Sequence, residues 1–186
     1  MSTRQPQKVV RRPASQAALR SLVISLARDR AIVEFSRRLV REISVCDRLG
    51  RIAALFTFVC HLVDVPPQGE GEVVDGVDCL LRLAGKDEGP AVILAALLQA
   101  AGERAAVEVG LEVVFVRVEL ELGDLRRLPP HAALLVVAGR YYLPLDARGA
   151  RKPLGFLPQP VRQSLPVLRW TGPARMTAIP VAARRR

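Results

Sequence analysis

Residues 85–109 read GKDEGPAVILAALLQAAGERAAVEV, and this stretch decides the fold. Pro90 stands where a first-turn proline is tolerated, because the first amides of a helix need no intrahelical acceptor. The run AVILAALLQAA that follows is apolar apart from Gln99, and Gly102 supplies a C-terminal stop. A helix that is apolar nearly all round has no face for water, so this one is expected at the centre of a core.

Downstream the apolar period changes from helical to two. Arg104–Val109 reads as a short strand. Across Val114–Leu122 the residues Val114, Val116, Val118, Leu120 and Leu122 face one way, and Phe115, Arg117, Glu119 and Glu121 the other. His131–Ala138 and Tyr141–Leu145 read as a hairpin around Gly139–Arg140. After Asp146 the composition shifts to Pro, Arg and Gly.

Upstream the pattern is helical. Ser15 is an expected N-cap, followed by Leu19, Leu22, Val23 and Leu26 at helical spacing. A second stripe runs through Ile32, Phe35, Leu39, Val40 and Ile43, either as a separate helix or as one helix bent near Asp29. Asp47 is the expected cap of a further helix carrying Ile52, Leu55, Phe56, Val59 and Leu62. The segment 64–72, DVPPQGEGE, is a loop, and a short helix is expected after Asp75 through Val77, Leu80, Leu81 and Leu83. Helices first and strands afterwards predict an α+β domain: N-terminal helices followed by an antiparallel sheet. The expected organisation is a basic arm over 1–14, a domain over 15–152 and an extended, Pro-rich basic tail over 153–186.

The 186 residues carry a formal charge of +10. That charge is unevenly placed: residues 1–20 and 147–186 contain no acid and hold 14 basic residues, which leaves 21–146 at −4. The chain is thus a mildly acidic body with two basic ends, for which a generic nucleic-acid-binding label is a poor description. No apolar run is long enough for a membrane-spanning helix. Met1–Pro13 lacks the apolar centre of a secretory signal. Cys46, Cys60 and Cys79 are too few and too scattered for a disulfide scaffold or a zinc knuckle, so a reducing cytoplasm is the expected compartment.

One constellation points to chemistry. GKDEG precedes the buried helix, His131 opens a strand, and Asp146 ends the next strand after an aromatic pair. The stretch from about Leu49 to Gly155 resembles the transglutaminase-like superfamily, which shares the papain-type arrangement, and in particular its small bacterial and phage-associated members. The resemblance rests on GKDEGPAVILAALLQAAGERAAVEV, HAALLVVAGRYYLPLD and DARGARKPLGFLP. It implies a papain/transglutaminase-like core. It also implies a thiol at the helix N-terminus, a His at the start of a strand, and an Asp that orients the His. At the position of the thiol this chain has Asp87, and Tyr142 stands where those proteins carry Trp. A carboxylate cannot form the usual thioester, so Asp87, His131 and Asp146 are expected to be a vestigial site in a non-catalytic domain.

Simpler roles exist for each group. Asp87 and Glu88 near a helix N-terminus stabilise its dipole without catalysis. His131 suits an exposed strand start, and Asp146 suits a cap of the following turn. Asp87, Glu88, His131 and Asp146 lack a recognisable metal-ligand spacing, so neither a metal nor a cofactor is expected. His61, near a helix end, reads as structural. Cys46 and Cys60 read as small core residues. The alternative enzyme is a hydrolase or transferase in which Cys79 acts with His131 and Asp146.

The basic ends suit docking on protein partners with acidic surfaces in a larger assembly, including a phage-like particle. The residues expected to carry that contact are Arg4, Lys8, Arg11, Arg12, Arg169, Trp170, Arg184, Arg185 and Arg186. Nonspecific nucleic-acid binding is the other reading of these arms. Base-stacking aromatics are scarce there, with only Phe156 and Trp170 in the tail, which weakens it. The apolar residues of 153–180 are wasteful in a solvated arm. They predict an extended segment packed on its own body or on a neighbouring subunit.

Overall fold

The computed structural model describes residues 15–63, 88–110, 113–130, 132–148 and 153–156, and the backbone of 167–170 and 176–178. The expected arm 1–14, the loop 64–72 and the short helix after Asp75 lie outside the described residues.

Two side chains set the first helices. Ser15 Oγ accepts from the Ala18 amide at 3.2 Å and opens α1, Gln16–Arg28. Asp29 then holds an extended conformation that ends α1. Its Oδ1 accepts from the amides of Ala31 and Ile32 at 2.9 and 3.2 Å, which opens α2, Arg30–Val40. The question left open by the sequence is thereby answered: there are two helices, and Asp29 serves both ends. Asp47 caps α3, Arg48–Val63, through the Gly50 amide at 3.2 Å. Ile52, Leu55, Phe56, Val59 and Leu62 are all buried, as their spacing predicts.

The fourth described helix, α4, spans Gly89–Ala100 and is buried over every residue from Gly89 to Leu98. It lies in contact with α1, α2 and α3 on one side and with strands β1, Ala105–Val109, and β2, Val114–Leu120, on the other. Gly102, at φ +88°, ends it in the left-handed region that glycine adopts at little cost. Ser36, fully buried on α2, donates to the Leu97 carbonyl at 2.9 Å and ties α2 to this central helix.

Beyond β2 the alternating pattern does not continue to Leu122 as expected. The strand ends at Leu120, and Leu122–Leu125 forms a single helical turn, α5, with Leu122 74% exposed. The reason is local. The Glu121 amide donates to Asp124 Oδ2 at 2.9 Å and the Asp124 amide to the Glu121 carbonyl at 3.0 Å, so the chain is turned before Leu122 can join the sheet.

The hairpin is formed by β3, Ala133–Val137, and β4, Arg140–Leu145. Its turn is Ala138–Gly139, not Gly139–Arg140. Both turn residues have positive φ, +50° and +75°, which matches the twist of the flanking strands. Two further strands, β5 (Val167–Trp170) and β6 (Met176–Ala178), fall in the stretch read as an extended tail. The sheet order is β1-β2-β4-β3-β5-β6, and every neighbouring pair is antiparallel. The α+β class with an antiparallel sheet is therefore the observed one.

One sheet face carries Val107, Val116, Val118, Leu120, Leu134, Leu143 and Leu145 into the core shared with the helices. The other carries Phe115, Ala133, Leu135 and Tyr142, together with Arg117 and Glu119 in the register that alternation predicts. Pairing between β3 and β4 runs only as far as Tyr142. Pro144, two residues on, has no amide to give. The Ala133 amide instead donates to the carbonyl of Gly155 at 3.0 Å. Gly155 has φ +76°, and a Cβ there would lie 2.8 Å from that of Ala132. Conformation and space both require glycine at this join.

Candidate functional site

Asp146 follows directly on β4, one residue after the Leu145–Val116 pair. Its residue is fully buried. Arg148 folds back over it: Nε donates to Oδ1 at 2.9 Å, Nη2 to Oδ2 at 3.1 Å, and the Arg148 amide to Oδ1 at 3.2 Å. A planar guanidinium meeting both carboxylate oxygens is the strongest geometry this ion pair has. The backbone contact makes the same carboxylate the cap of the turn that leaves the strand. Asp146 thus has the turn-capping role allowed for it, with a charge partner that the sequence reading did not assign.

The N-terminus of α4 is the second part of the expected constellation. Glu88 is its N-cap residue, at φ −93° and ψ −12°, and its side chain accepts no hydrogen bond from the helix amides. Its carbonyl accepts from the Val92 amide at 3.1 Å. Pro90 lies in the first turn, as expected. Asp87 and His131 lie outside the described residues, and so does Cys79. The described neighbours of His131 are Pro130, which is exposed, and Ala132, which is buried against Gly155.

The remaining site residues are placed as follows. Arg4, Lys8, Arg11, Arg12, Arg184, Arg185 and Arg186 lie outside the described residues. Arg169 and Trp170 are described by their backbone alone, in β5, where Arg169 pairs with Ala133. Cys60 is buried on α3, as expected for a core residue. Cys46 is not: it is exposed in the turn between α2 and α3, because Ile43–Asp47 passes over the surface and not through the core. His61 is exposed in the last turn of α3. Among the described residues, no three His, Cys, Asp or Glu side chains gather as metal ligands do, and no helix is long and apolar enough to cross a membrane.

A cluster that the sequence reading missed lies where α3 begins. Arg48 Nε donates to Glu103 Oε2 at 2.6 Å and Nη2 to the Glu119 carbonyl at 2.7 Å, while Nη1 reaches Asp124 Oδ2. Arg51 Nη2 donates to the other Glu103 oxygen at 3.2 Å. Glu103 and Asp124 are buried. Burial alone pulls the Arg48 pKa down, but the carboxylates of Glu103 and Asp124 outweigh it and hold the pKa above its ordinary value. Two guanidinium groups against two carboxylates leave no net charge to attract a ligand. The cluster joins the start of α3, the turn between α4 and β1, and α5. Residues 48, 103 and 124 are so far apart in sequence that no spacing announces them. The one local signal is the pair Glu121 and Asp124 at capping distance.

No family model matches the sequence, and neither the curated proteins nor the solved structures provide a match.

Proposed function

We propose that this chain is a non-catalytic domain of transglutaminase-like type that serves as a structural or interaction component of a larger, phage-derived assembly. The observation that carries the reading is Asp87. It stands just before Glu88, the N-cap of the central helix, at the position where the resembling proteins bear their thiol. A helix N-terminus there would lower a thiol pKa and favour the thiolate. With a carboxylate the same dipole only stabilises a charge, and no acyl thioester forms.

Two further features support this reading. Neither described cysteine belongs to the α4 N-terminus: Cys46 sits between α2 and α3, and Cys60 within α3. Asp146 is held by the Arg148 guanidinium, as a residue that anchors a strand end is. The basic ends then serve docking onto acidic protein surfaces in the assembly.

The test is alkylation and turnover on the whole chain. Iodoacetamide should label exposed Cys46, and no amide hydrolysis or crosslinking should accompany it. Thiol-dependent turnover that disappears in His131→Ala would overturn the reading in favour of a displaced nucleophile, Cys79. Nucleic-acid binding that falls steeply with salt and is lost on removal of both arms would replace docking on protein by docking on phosphate.

A further inference from the structure

Where α1 passes the free edge of β1, a cavity of about 310 Å3 opens between them. Its apolar wall is Val23, Ile24, Ala106 and Val107, and its polar groups are Arg20, Gln99 and Arg117. A volume of this size lies at the small end of ligand sites, which run from roughly 300 to 1,000 Å3. Ile24 is 45% exposed at the rim, one of few large apolar side chains among the described residues left so open to water.

The charges are arranged unevenly. Arg20 and Arg117 both approach one carboxylate, Glu108, at 3.5 and 2.9 Å. Gln16 Nε2 donates to its other oxygen at 3.1 Å. Among the described residues two cations therefore share one anion, which leaves a surplus positive charge at the cavity. Arg117 is also poorly satisfied. Its Nε, though close to Glu108, is off the line that a hydrogen bond needs, and this buried N–H has no hydrogen-bond partner. The guanidinium is fixed over the Tyr142 ring at 4.8 Å, so it is held in place without being saturated.

We infer that this cavity binds a small monocarboxylate with a compact alkyl or aryl body. The carboxylate accepts from Arg117 and Arg20, and the body lies along Val23, Ile24 and Val107. One surplus positive charge matches one carboxylate. A bare phosphate brings more charge than the site offsets and has nothing to place against the apolar wall.

The experiment is methyl NMR of the full chain titrated with hexanoate, with hexan-1-ol and inorganic phosphate as comparisons. Hexanoate should shift the methyl signals of Val23, Ile24 and Val107 together, with millimolar or tighter affinity, about −4 kcal/mol or better. Arg117→Gln should weaken binding about tenfold through loss of the charge-assisted contact. Ile24→Glu, on the exposed rim where little packing is lost, should weaken it similarly by repelling the carboxylate. Absence of shifts at about 10 mM hexanoate, well above that affinity, would overturn the inference. So would equal binding of hexan-1-ol or of phosphate, or a hexanoate affinity that both variants leave unchanged.

Discussion

Arg48 Nε lies 2.6 Å from Glu103 Oε2, and Glu103 is only 6% exposed. The same carboxylate receives Arg51 on its other oxygen. A buried carboxylate that serves two arginines is costly to remove, because it leaves two cations without their counter-charge. Glu103→Gln keeps the shape and should still lose about 3 kcal/mol, within the range for breaking one side of a buried ion pair. Urea unfolding followed by circular dichroism would measure it. A loss below about 0.5 kcal/mol, the size of a surface ion pair, would show that the cluster behaves as an exposed one.

The pH dependence of that cluster has a definite sign on the arginine side. The Arg48 pKa is raised in the fold, because Glu103 and Asp124 outweigh burial. The stability linked to its proton is therefore fully present below the ordinary arginine range, and is lost only as pH rises through the raised value. The difference in unfolding free energy between the wild type and Arg48→Met should consequently be the same at about pH 6 and about pH 9. A difference that fell steadily across this window would contradict the assignment.

Two turn glycines of positive φ, one in the β3–β4 hairpin and one beyond β4, should respond differently to one methyl group. At Gly139, φ is +75° and nothing lies within 4 Å of an added Cβ. Gly139→Ala should cost only the conformational penalty, about 1 kcal/mol. At Gly155 the φ is similar, but the new Cβ would meet Ala132 at 2.8 Å and a Leu143 methyl at 3.1 Å. Gly155→Ala should cost about 3 kcal/mol, with overpacking added to the conformational penalty. Thermal melts of the two variants decide the order, and equal losses would place the Ala132 contact in doubt.

The core should show a similar contrast. Leu94 is fully buried at the centre of α4, and Leu94→Ala should cost about 2–5 kcal/mol. Ser36→Ala removes one donor from the Leu97 carbonyl, which still accepts from the Ala101 amide at 3.0 Å. Its cost should be about 1 kcal/mol. Denaturant midpoints compare the two directly, and a Ser36→Ala loss as large as that of Leu94→Ala would contradict the satisfied state of that carbonyl.

Local chemistry was legible in the sequence wherever a single side chain set the backbone. Ser15 and Asp47 marked helix starts, Gly102 marked an end, and the alternation from Val114 gave a strand with the correct faces, whereas Asp29 marked only a bend or a break until its side chain was seen to cap α2. What failed was decided by partners further away or by competing local bonds. Leu122 left the sheet because Glu121 and Asp124 closed a turn first. Cys46 was read as core from its apolar flanks, yet its turn lies on the surface, where Arg127 grips Asp47 at 2.6 Å. Of the expected site, Asp146 could be read as a turn cap, but Arg148 as its charge partner depends on a backbone reversal that composition does not specify. The cluster around Arg48 joins residues more than fifty positions apart, and only the folded chain brings them together.

The central helix α4 has a consequence for how the chain acquires its structure. Alone in water, its 12 residues would be too short to hold helical form, and too apolar to stay dissolved. It becomes stable only when α1, α2, α3 and the first strands close around it, and these arrive from both sides along the chain. No half of the described fold holds a finished core, so folding should proceed as one concerted event. Fragments cut on either side of α4 should aggregate and not persist as smaller native pieces.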